Sequence, residues 1–215
     1  MPGDPGRALR LAQALLDRPR MFNHHRGLWG YTGAAADGEP LTIQATGMGG
    51  PSAAIVVEEL ARLGVKTVVR VGTCGALRPG LELGDLIVAR EVRGEDGASR
   101  GLGAPARQAP DAGLSDAMAG AGDAGLHEGT VVSTDLFYDP GEQRAGAWAA
   151  AGALAVEMEA AAVLAAAARR GVRAACLLAV TDLLHGPGGR ERIDEEALVV
   201  AEERLGAVAV QALLP

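Results

Sequence analysis

An arginine and two groups of glycines are the residues most suited to holding an anion. Gly47-Met48-Gly49-Gly50 follows one strand-like apolar run, and Gly72-Thr73-Cys74-Gly75 follows a second run that contains Arg70. We expect each run to be a strand that ends in a glycine turn. Free backbone N–H groups at such turns favour an anion, and the carboxyl ends of strands in an open α/β sheet are where ligands bind. The spacing therefore predicts that both turns open at one edge of the same sheet and form an anion site there.

Two glutamates, Glu157 and Glu159, stand in an otherwise apolar run. Each needs a partner, because an unpaired buried carboxylate is costly. They would lie on one side of an extended segment but about 200° apart on a helix. The alanines that follow favour a strand that ends near Glu157 and a helix that begins near Glu159. A glutamate that only caps the helix N-terminus is the alternative.

Asp182 and a pair of aromatic residues follow two further strand-like runs. Asp182 comes after the apolar run 174–180, where a desolvated carboxyl group could donate a proton. Phe137 and Tyr138 come after the run 130–134, where an aromatic ring could stack on a planar base. An ordinary loop aspartate and a core-filling aromatic are the commoner readings of these residues taken alone.

These groups require alternating strands and helices that bring several strand ends to one edge. Further elements are predicted as helices at 5–16, 51–63, 142–150 and 193–214 and as a strand at 84–92, with a glycine-rich loop at 185–192. Residues 94–129 lack a strong apolar period, so they are predicted as a loop with one weak helix at 114–121, either a flap or variable decoration. The alternation indicates an α/β fold.

Composition limits the classes of function. With 215 residues, of which 48% are hydrophobic and 22% charged, the chain can bury one core, and we expect a single domain over 1–215. The net charge of −7 argues against nucleic acid or an anionic membrane as a partner. No apolar run is long enough for a membrane helix, and charged residues stand where a signal peptide would be apolar. Two cysteines in apolar runs suit reduced thiols in the cytoplasm.

The adjacent histidines His24 and His25 invite a metal hypothesis. They would point to opposite sides of an extended chain, and no cysteine or carboxylate stands at ligand spacing from them. The other two histidines, His127 and His185, lie far away in the sequence. We therefore expect no metal site.

Five ordered segments resemble motifs of the nucleoside phosphorylase family, which includes hexameric purine nucleoside phosphorylases and uridine phosphorylases. They are MPGDPGR, GMGGPS, EEL followed by RVGTCGA, STDLFY and VEMEA. The resemblance covers nearly the whole chain. It implies a three-layer αβα fold with a central mixed sheet flanked by helices.

The resemblance also implies a role for each matched residue. Phosphate would be held by Gly3, Arg7, Arg70 and Thr73, and by Arg26 from a neighbouring subunit. Ribose would be held by Met48, Met158 and Glu159. The base would be bordered by Cys74, Gly75, Thr134, Phe137, Val156, Glu157 and Thr181. Asp182 would supply the acid, supported by Arg190 or Arg192, which the spacing leaves equally eligible.

The activity implied is phosphorolysis of a purine nucleoside to free base and (deoxy)ribose 1-phosphate. Inorganic phosphate is then the co-substrate, no metal or organic cofactor is expected, and the enzyme would be a dimer-based homo-oligomer, in the family's pattern a hexamer. Uridine phosphorylase is the nearest alternative, although Glu142 stands where the similar segment 138–144 would need a glutamine. A nucleoside hydrolase of the same fold and a non-catalytic nucleotide sensor are the others.

Overall fold

The computed structural model describes residues 1–139, 142–185 and 190–214, with only the backbone of Glu142. The strands are β1 (Asp17–Asn23), β2 (Gly30–Ala34), β3 (Pro40–Gln44), β4 (Thr67–Ala76), β5 (Leu86–Gly94), β6 (Arg107–Gln108), β7 (Leu126–Ser133), β8 (Ala155–Glu157), β9 (Arg173–Leu183) and β10 (Glu191–Arg192). The helices are α1 (Pro5–Leu15), α2 (Gly50–Arg62), α3 (Gly97–Gly101), α4 (Ala112–Ala121), α5 (Glu142–Ala150), α6 (Ala160–Arg170) and α7 (Glu195–Gln211).

The central sheet has seven strands in the order β10-β9-β4-β8-β7-β5-β6, and strand directions are mixed. The longest pairing is parallel, between β4 and β9, and β5 pairs in parallel with β7. β8, β6 and β10 add short pairings, of which only that of β8 with β7 is parallel. A separate antiparallel sheet of β1, β2 and β3 lies beside the first helix. The first glycine turn follows β3 and the second glycine group lies on β4, so the prediction that both follow strands of the same sheet is wrong.

Helices cover both faces of the central sheet. Alternate side chains of β4 explain this, since Val68 packs with α2 and α6 on one face, whereas Val69 packs with α1, α4 and α7 on the other. Strands buried on both faces become nearly continuous apolar runs, as the sequence of β9 shows. The predicted layered α/β fold with a central mixed sheet is confirmed.

Several helix ends follow directly from local sequence. Asp4 caps α1 by accepting the backbone N–H of Arg7 at 2.6 Å, and Asp194 caps α7 in the same way. Gly49 precedes α2 with φ of +87°, which favours glycine, and Pro51 then occupies the first turn. These local signals explain why the predicted helix starts lie close to the observed ones.

One predicted turn is wrong. Gly72-Thr73-Cys74-Gly75 does not end the strand, because β4 continues to Ala76. Pairing with β9 extends along the whole of β4, and β8 adds a second partner at Gly75 and Ala76. Glycine at position 72 instead leaves room for the Arg70 side chain, because a Cβ on Gly72 would lie only 2.6 Å from Nη2 of Arg70.

The prediction of a loop over residues 94–129 is also wrong in large part. The segment contains α3, β6, α4 and the start of β7. Asp96 and Asp111 cap the two helices through their side chains, and α4 buries Leu114 and Met118 against the core. These elements are short, so they leave no long apolar period in the sequence, and only the helix near 114–121 was predicted.

Other boundaries agree with the predictions where the structure describes them. The helix at 142–150 is α5, and a strand ends at Glu157 shortly before α6 begins at Ala160. Residues 186–189 of the predicted glycine-rich loop, and residues 140 and 141 of the segment compared with uridine phosphorylases, lie outside the described residues. No helix in the described ranges is both long and apolar enough to cross a membrane.

Candidate active site

Arg70 lies at the centre of a buried ionic cluster. Its guanidinium is 3% exposed; Nε donates to Glu157 at 2.8 Å, and Nη2 lies 2.5 Å from Glu159. Burial acts to lower the pKa of Arg70, but the carboxylates of Glu159 and Glu157 together outweigh it and raise that pKa above its usual value. The remaining nitrogen, Nη1, is buried and has no hydrogen-bond partner among the described residues. It is a charged donor that no described residue satisfies.

Glu157 fixes Arg70 and also caps α6. Its carboxylate accepts hydrogen bonds from the Ser133 hydroxyl and from the backbone N–H groups of Glu159 and Ala160. A carboxylate at a helix N-terminus is favourable because the free N–H groups point towards it. The carboxylate is thus fully engaged within the protein, and the predicted contact of Glu157 with a base would fall to its other atoms. Ser133 was missed as a site residue, although it opens the STDLFY motif.

Glu159 joins the first glycine turn to the cluster. Its carboxylate accepts the N–H of Gly49 at 2.5 Å and pairs with Arg70. Burial raises the pKa of Glu159, while the charge of Arg70 acts in the opposite direction. Met158 precedes it and is half-buried, whereas Met48, next to Gly49, is 87% exposed. Glu159 therefore contacts the first glycine turn, and Met48 and Met158 each stand one residue away from this contact.

The N-terminal turn brings Arg7 and Gly3 to the same region. Gly3 accepts the N–H of Gly47 at 3.0 Å, so it lies against the first glycine turn. Arg7 is buried, and its charge acts on the Glu159 carboxyl in the direction of a lower pKa. The Nε of Arg7 donates to Glu202 at 2.8 Å, a contact between residues 195 positions apart that no motif indicated. Thr73 lies half-buried three residues after Arg70 on β4.

Asp182 lies at the end of β9 with two partners. Oδ1 accepts from Nε of Arg190 at 2.7 Å, and Oδ2 accepts from the Thr181 hydroxyl at 2.9 Å. The Arg190 guanidinium also lies over the Phe137 ring, 4.4 Å from its centroid. Arg192 is exposed and faces Asp182 only through strand pairing. Of the two eligible arginines, Arg190 is therefore the one that contacts Asp182.

Gly75 connects the acid to the rest of the predicted base pocket. It pairs with Asp182 on β9 and with Val156 on β8, and a Cβ on it would lie 2.6 Å from Leu184. The Cys74 thiol points into the core, where burial raises its pKa well above the usual value, so only its backbone faces this edge.

Thr134 lies beside the cluster through its backbone. Its N–H donates to the Glu157 carbonyl at 2.9 Å, and its hydroxyl accepts the N–H of Leu136 at 3.3 Å. Phe137, three residues further on, is 52% exposed. The Arg190 guanidinium lies over this ring, and the Tyr138 ring meets it edge-on with the two centroids 4.9 Å apart.

Arg26 does not join the other predicted residues. It lies in the turn His25–Gly27 with φ of +56°, is exposed, and forms no ion pair with a described residue. Its contribution to a neighbour's site stays a prediction. His24 and His25 do not point to opposite sides as expected, because the chain turns there and their rings lie 5.3 Å apart. In the described part of the chain, no group of three His, Cys, Asp or Glu residues could hold a metal ion.

The layered mixed sheet, with a buried arginine between two glutamates and an aspartate at the end of the neighbouring strand, has the architecture of the nucleoside phosphorylase fold. The family model described as the Phosphorylase superfamily matches residues 1–214, and the chain belongs to that superfamily.

Curated relatives align over most of this chain. A protein of Halorubrum lacusprofundi named guanosine phosphorylase is 42% identical over 184 residues, which are 84% of this chain and 76% of the relative. A protein of Geobacillus kaustophilus named purine nucleoside phosphorylase DeoD-type is 38% identical, with 100% of this chain and 91% of the relative covered. A protein with the same name from Caldanaerobacter subterraneus is 37% identical over 86% of this chain and 82% of the relative.

Proposed function

We propose that the protein is a purine nucleoside phosphorylase, a pentosyltransferase that reversibly converts purine (deoxy)ribonucleosides and phosphate to free base and (deoxy)ribose 1-phosphate. The names of its relatives support this activity. The observation that carries it is Nη1 of Arg70, a buried donor without a hydrogen-bond partner among the described residues. A buried guanidinium with an unpaired nitrogen is suited to a small anion, and phosphate is the anion that phosphorolysis requires.

In this proposal, Arg70 and Arg7 hold phosphate, with Thr73 and Gly3 completing its hydrogen bonds. An oxygen of phosphate forms a bond to the anomeric carbon of the sugar while the bond from that carbon to the base nitrogen breaks. Positive charge develops on the sugar, so an anion fixed beside it lowers the barrier by both charge and proximity. Glu159 accepts hydrogen bonds from the ribose hydroxyls, and Met48 and Met158 pack against the sugar.

The base leaves with the electron pair of the broken bond. Asp182 donates a proton to its imidazole nitrogen, so the base departs neutral. Arg190 and Thr181 hold the two carboxyl oxygens of Asp182 in place. Phe137 stacks on the base, and Cys74, Gly75, Thr134, Val156 and Glu157 border it, in part through their backbone atoms.

We further propose that the reaction needs no metal or organic cofactor and that the protein is cytoplasmic. We also propose a dimer-based assembly, in the family's pattern a hexamer, in which Arg26 enters a neighbouring site. Both cysteines are free and buried, which suits a reducing compartment. Uridine phosphorylase is disfavoured because Glu142 stands where the similar segment would need a glutamine. The arginine of that segment, Arg144, pairs with Asp139 at 3.1 Å and lies over the Trp148 ring.

The test is base release from inosine, guanosine, adenosine and uridine, each with and without inorganic phosphate. We expect rapid release from at least one purine nucleoside only when phosphate is present. Equal rates without phosphate would indicate a hydrolase, and a preference for uridine over every purine would indicate the pyrimidine activity. Binding without any turnover would indicate a sensor.

A further inference from the structure

Glu202 is a buried carboxylate that the motifs do not include. It lies on α7, is 1% exposed, and holds one arginine of α1 with each oxygen. Oε1 accepts from Nε of Arg7 at 2.8 Å, whereas Oε2 accepts from Nε of Arg10 at 2.7 Å and lies 2.5 Å from its Nη2. A carboxylate this deeply buried is costly unless such partners compensate it.

The hydrogen bond to Glu202 uses Nε of Arg7 and leaves its two Nη nitrogens for other partners. The backbone of Arg7 is fixed in the first turn of α1 by the Asp4 cap, and Glu202 fixes its Nε. Neither Nη of Arg7 makes a hydrogen bond with a described residue. Gly3 accepts the N–H of Gly47 and Met1 accepts the N–H of Val71, so the first turn of α1, which carries Arg7, begins beside the first glycine turn and the strand that holds Arg70. The charge of Arg7 acts to lower the pKa of the Glu159 carboxyl. An arginine held at one nitrogen presents the others in a defined geometry.

Arg10 gives the cluster its net charge. Arg7 alone would be neutralised by Glu202, and a neutral pair attracts an anion weakly. With Arg10 on the second oxygen, the three groups sum to one positive charge, and the outer arginine is 41% exposed. The arrangement keeps Arg7 oriented without cancelling its attraction for phosphate.

We propose that Glu202 is a positioning residue for phosphate, acting through Arg7 and balanced by Arg10; this rests on the proposed function. Packing alone does not require it. Helices α1 and α7 already meet through Leu11, Leu205 and the close approach of Gly206, and an apolar side chain at 202 would join them as well as an ion pair does.

The first test is Glu202→Gln, with the exposed neighbour Glu203→Gln as the matched control. Steady-state kinetics should show the phosphate KM of Glu202→Gln raised roughly 10-fold or more, the scale on which loss of a supporting partner weakens a ligand site. The nucleoside KM and the kcat at saturating phosphate should change far less. Glu203→Gln should match wild type in all three.

Arg10→Met is the second variant, because it changes a partly exposed side chain and leaves the buried carboxylate in place. We expect the phosphate KM of Arg10→Met to rise, but by less than that of Glu202→Gln. Adding inorganic phosphate should raise the Tm of Arg10→Met by less than it raises the Tm of wild type. An unchanged phosphate KM in folded Glu202→Gln would overturn the proposal, as would an equal change in all kinetic constants. If Glu202→Gln does not fold, an unchanged phosphate KM in Arg10→Met would overturn it. Wild-type base release that needs no phosphate would instead overturn the proposed function.

Discussion

In the proposed function, Asp182 acts on the base and Arg70 binds the anion. Asp182 is held by Arg190 and Thr181, and Arg70 by two glutamates. Such fixed partners allow each group to act without first reorganising, which is how preorganised charges lower a barrier. The two roles can therefore be tested separately.

The first prediction concerns the proton donor. Asp182→Ala should lose activity on inosine by about 10²–10⁴-fold, the usual contribution of one positioned general acid. A 7-methylated purine nucleoside carries a cationic base, needs no proton, and should be largely spared. Steady-state rates of the variant and of wild type on both substrates give the comparison. An equally severe loss on the methylated substrate would remove Asp182 from the acid role.

At this scale the sequence indicated Asp182, Arg70, Glu159 and Phe137 as candidate residues, because each follows a strand-like run or a glycine turn that is visible locally. It did not indicate Ser133, Gly72 or Glu202. These residues contact side chains distant in sequence or, for Gly72, lie in the path of a neighbouring side chain. No spacing rule within one segment reports such a contact.

At the scale of the elements, β4 and α6 set the geometry around Arg70. β4 presents Arg70, and β8 followed by α6 presents the two glutamates that pair with it. The strand-to-helix change at 157–160 was predicted from two carboxylates and an alanine run. The continuation of β4 past Gly72 was not, because glycines usually end a strand and only pairing on both sides overrides that tendency.

The second prediction concerns this continuation. A Cβ in Gly72→Ala would meet the Arg70 guanidinium, which two carboxylates prevent from moving aside. We expect a higher phosphate KM and a loss of about 1–3 kcal/mol in the free energy of unfolding, as in other overpacked sites. Phosphate-dependent kinetics and urea unfolding measure both.

Gly120→Ala is the control, because it adds a Cβ on α4 with no atom within 4 Å. It should leave the phosphate KM unchanged and stabilise the fold by up to about 1 kcal/mol through helix propensity. A Gly72→Ala variant with the phosphate KM of wild type would show that Arg70 can move without consequence.

At the level of the whole molecule, Met1 is hydrogen-bonded to β4 of the central sheet. The Met1 amine donates to the Val69 carbonyl at 2.7 Å, and Val71 donates back to Met1. Burial, aided by the charge of Arg70, lowers the pKa of this amine from 8.0 to about 5. Between pH 8 and pH 5 the amine is therefore mostly unprotonated in the folded chain and mostly protonated in the unfolded chain.

The third prediction follows from this difference. Between pH 8 and pH 5 only the unfolded state binds the proton, so the free energy of unfolding should fall as the pH falls, by up to about 4 kcal/mol. Urea unfolding at several pH values measures it in a chain that begins at Met1. Residues added before Met1 remove the buried amine, so this control should show a weaker dependence. Equal slopes in the two chains would contradict the assignment.

The fourth prediction concerns assembly. If Arg26 completes a neighbour's site, Arg26→Ala and Asp182→Ala should each be impaired. Subunits mixed after dissociation should regain activity, because some sites would then take both intact residues. No recovery in mixed oligomers of proven composition would argue that Arg26 acts within its own chain or not at all.

In the proposed reaction, phosphate and not water receives the sugar. ³¹P NMR of the reaction of wild-type protein with a purine nucleoside and inorganic phosphate, combined with chromatography of the base, measures this directly. We expect a sugar 1-phosphate signal that grows in a one-to-one ratio with free base while inorganic phosphate falls by the same amount. Free base accompanied by unphosphorylated ribose, with inorganic phosphate unchanged, would contradict it.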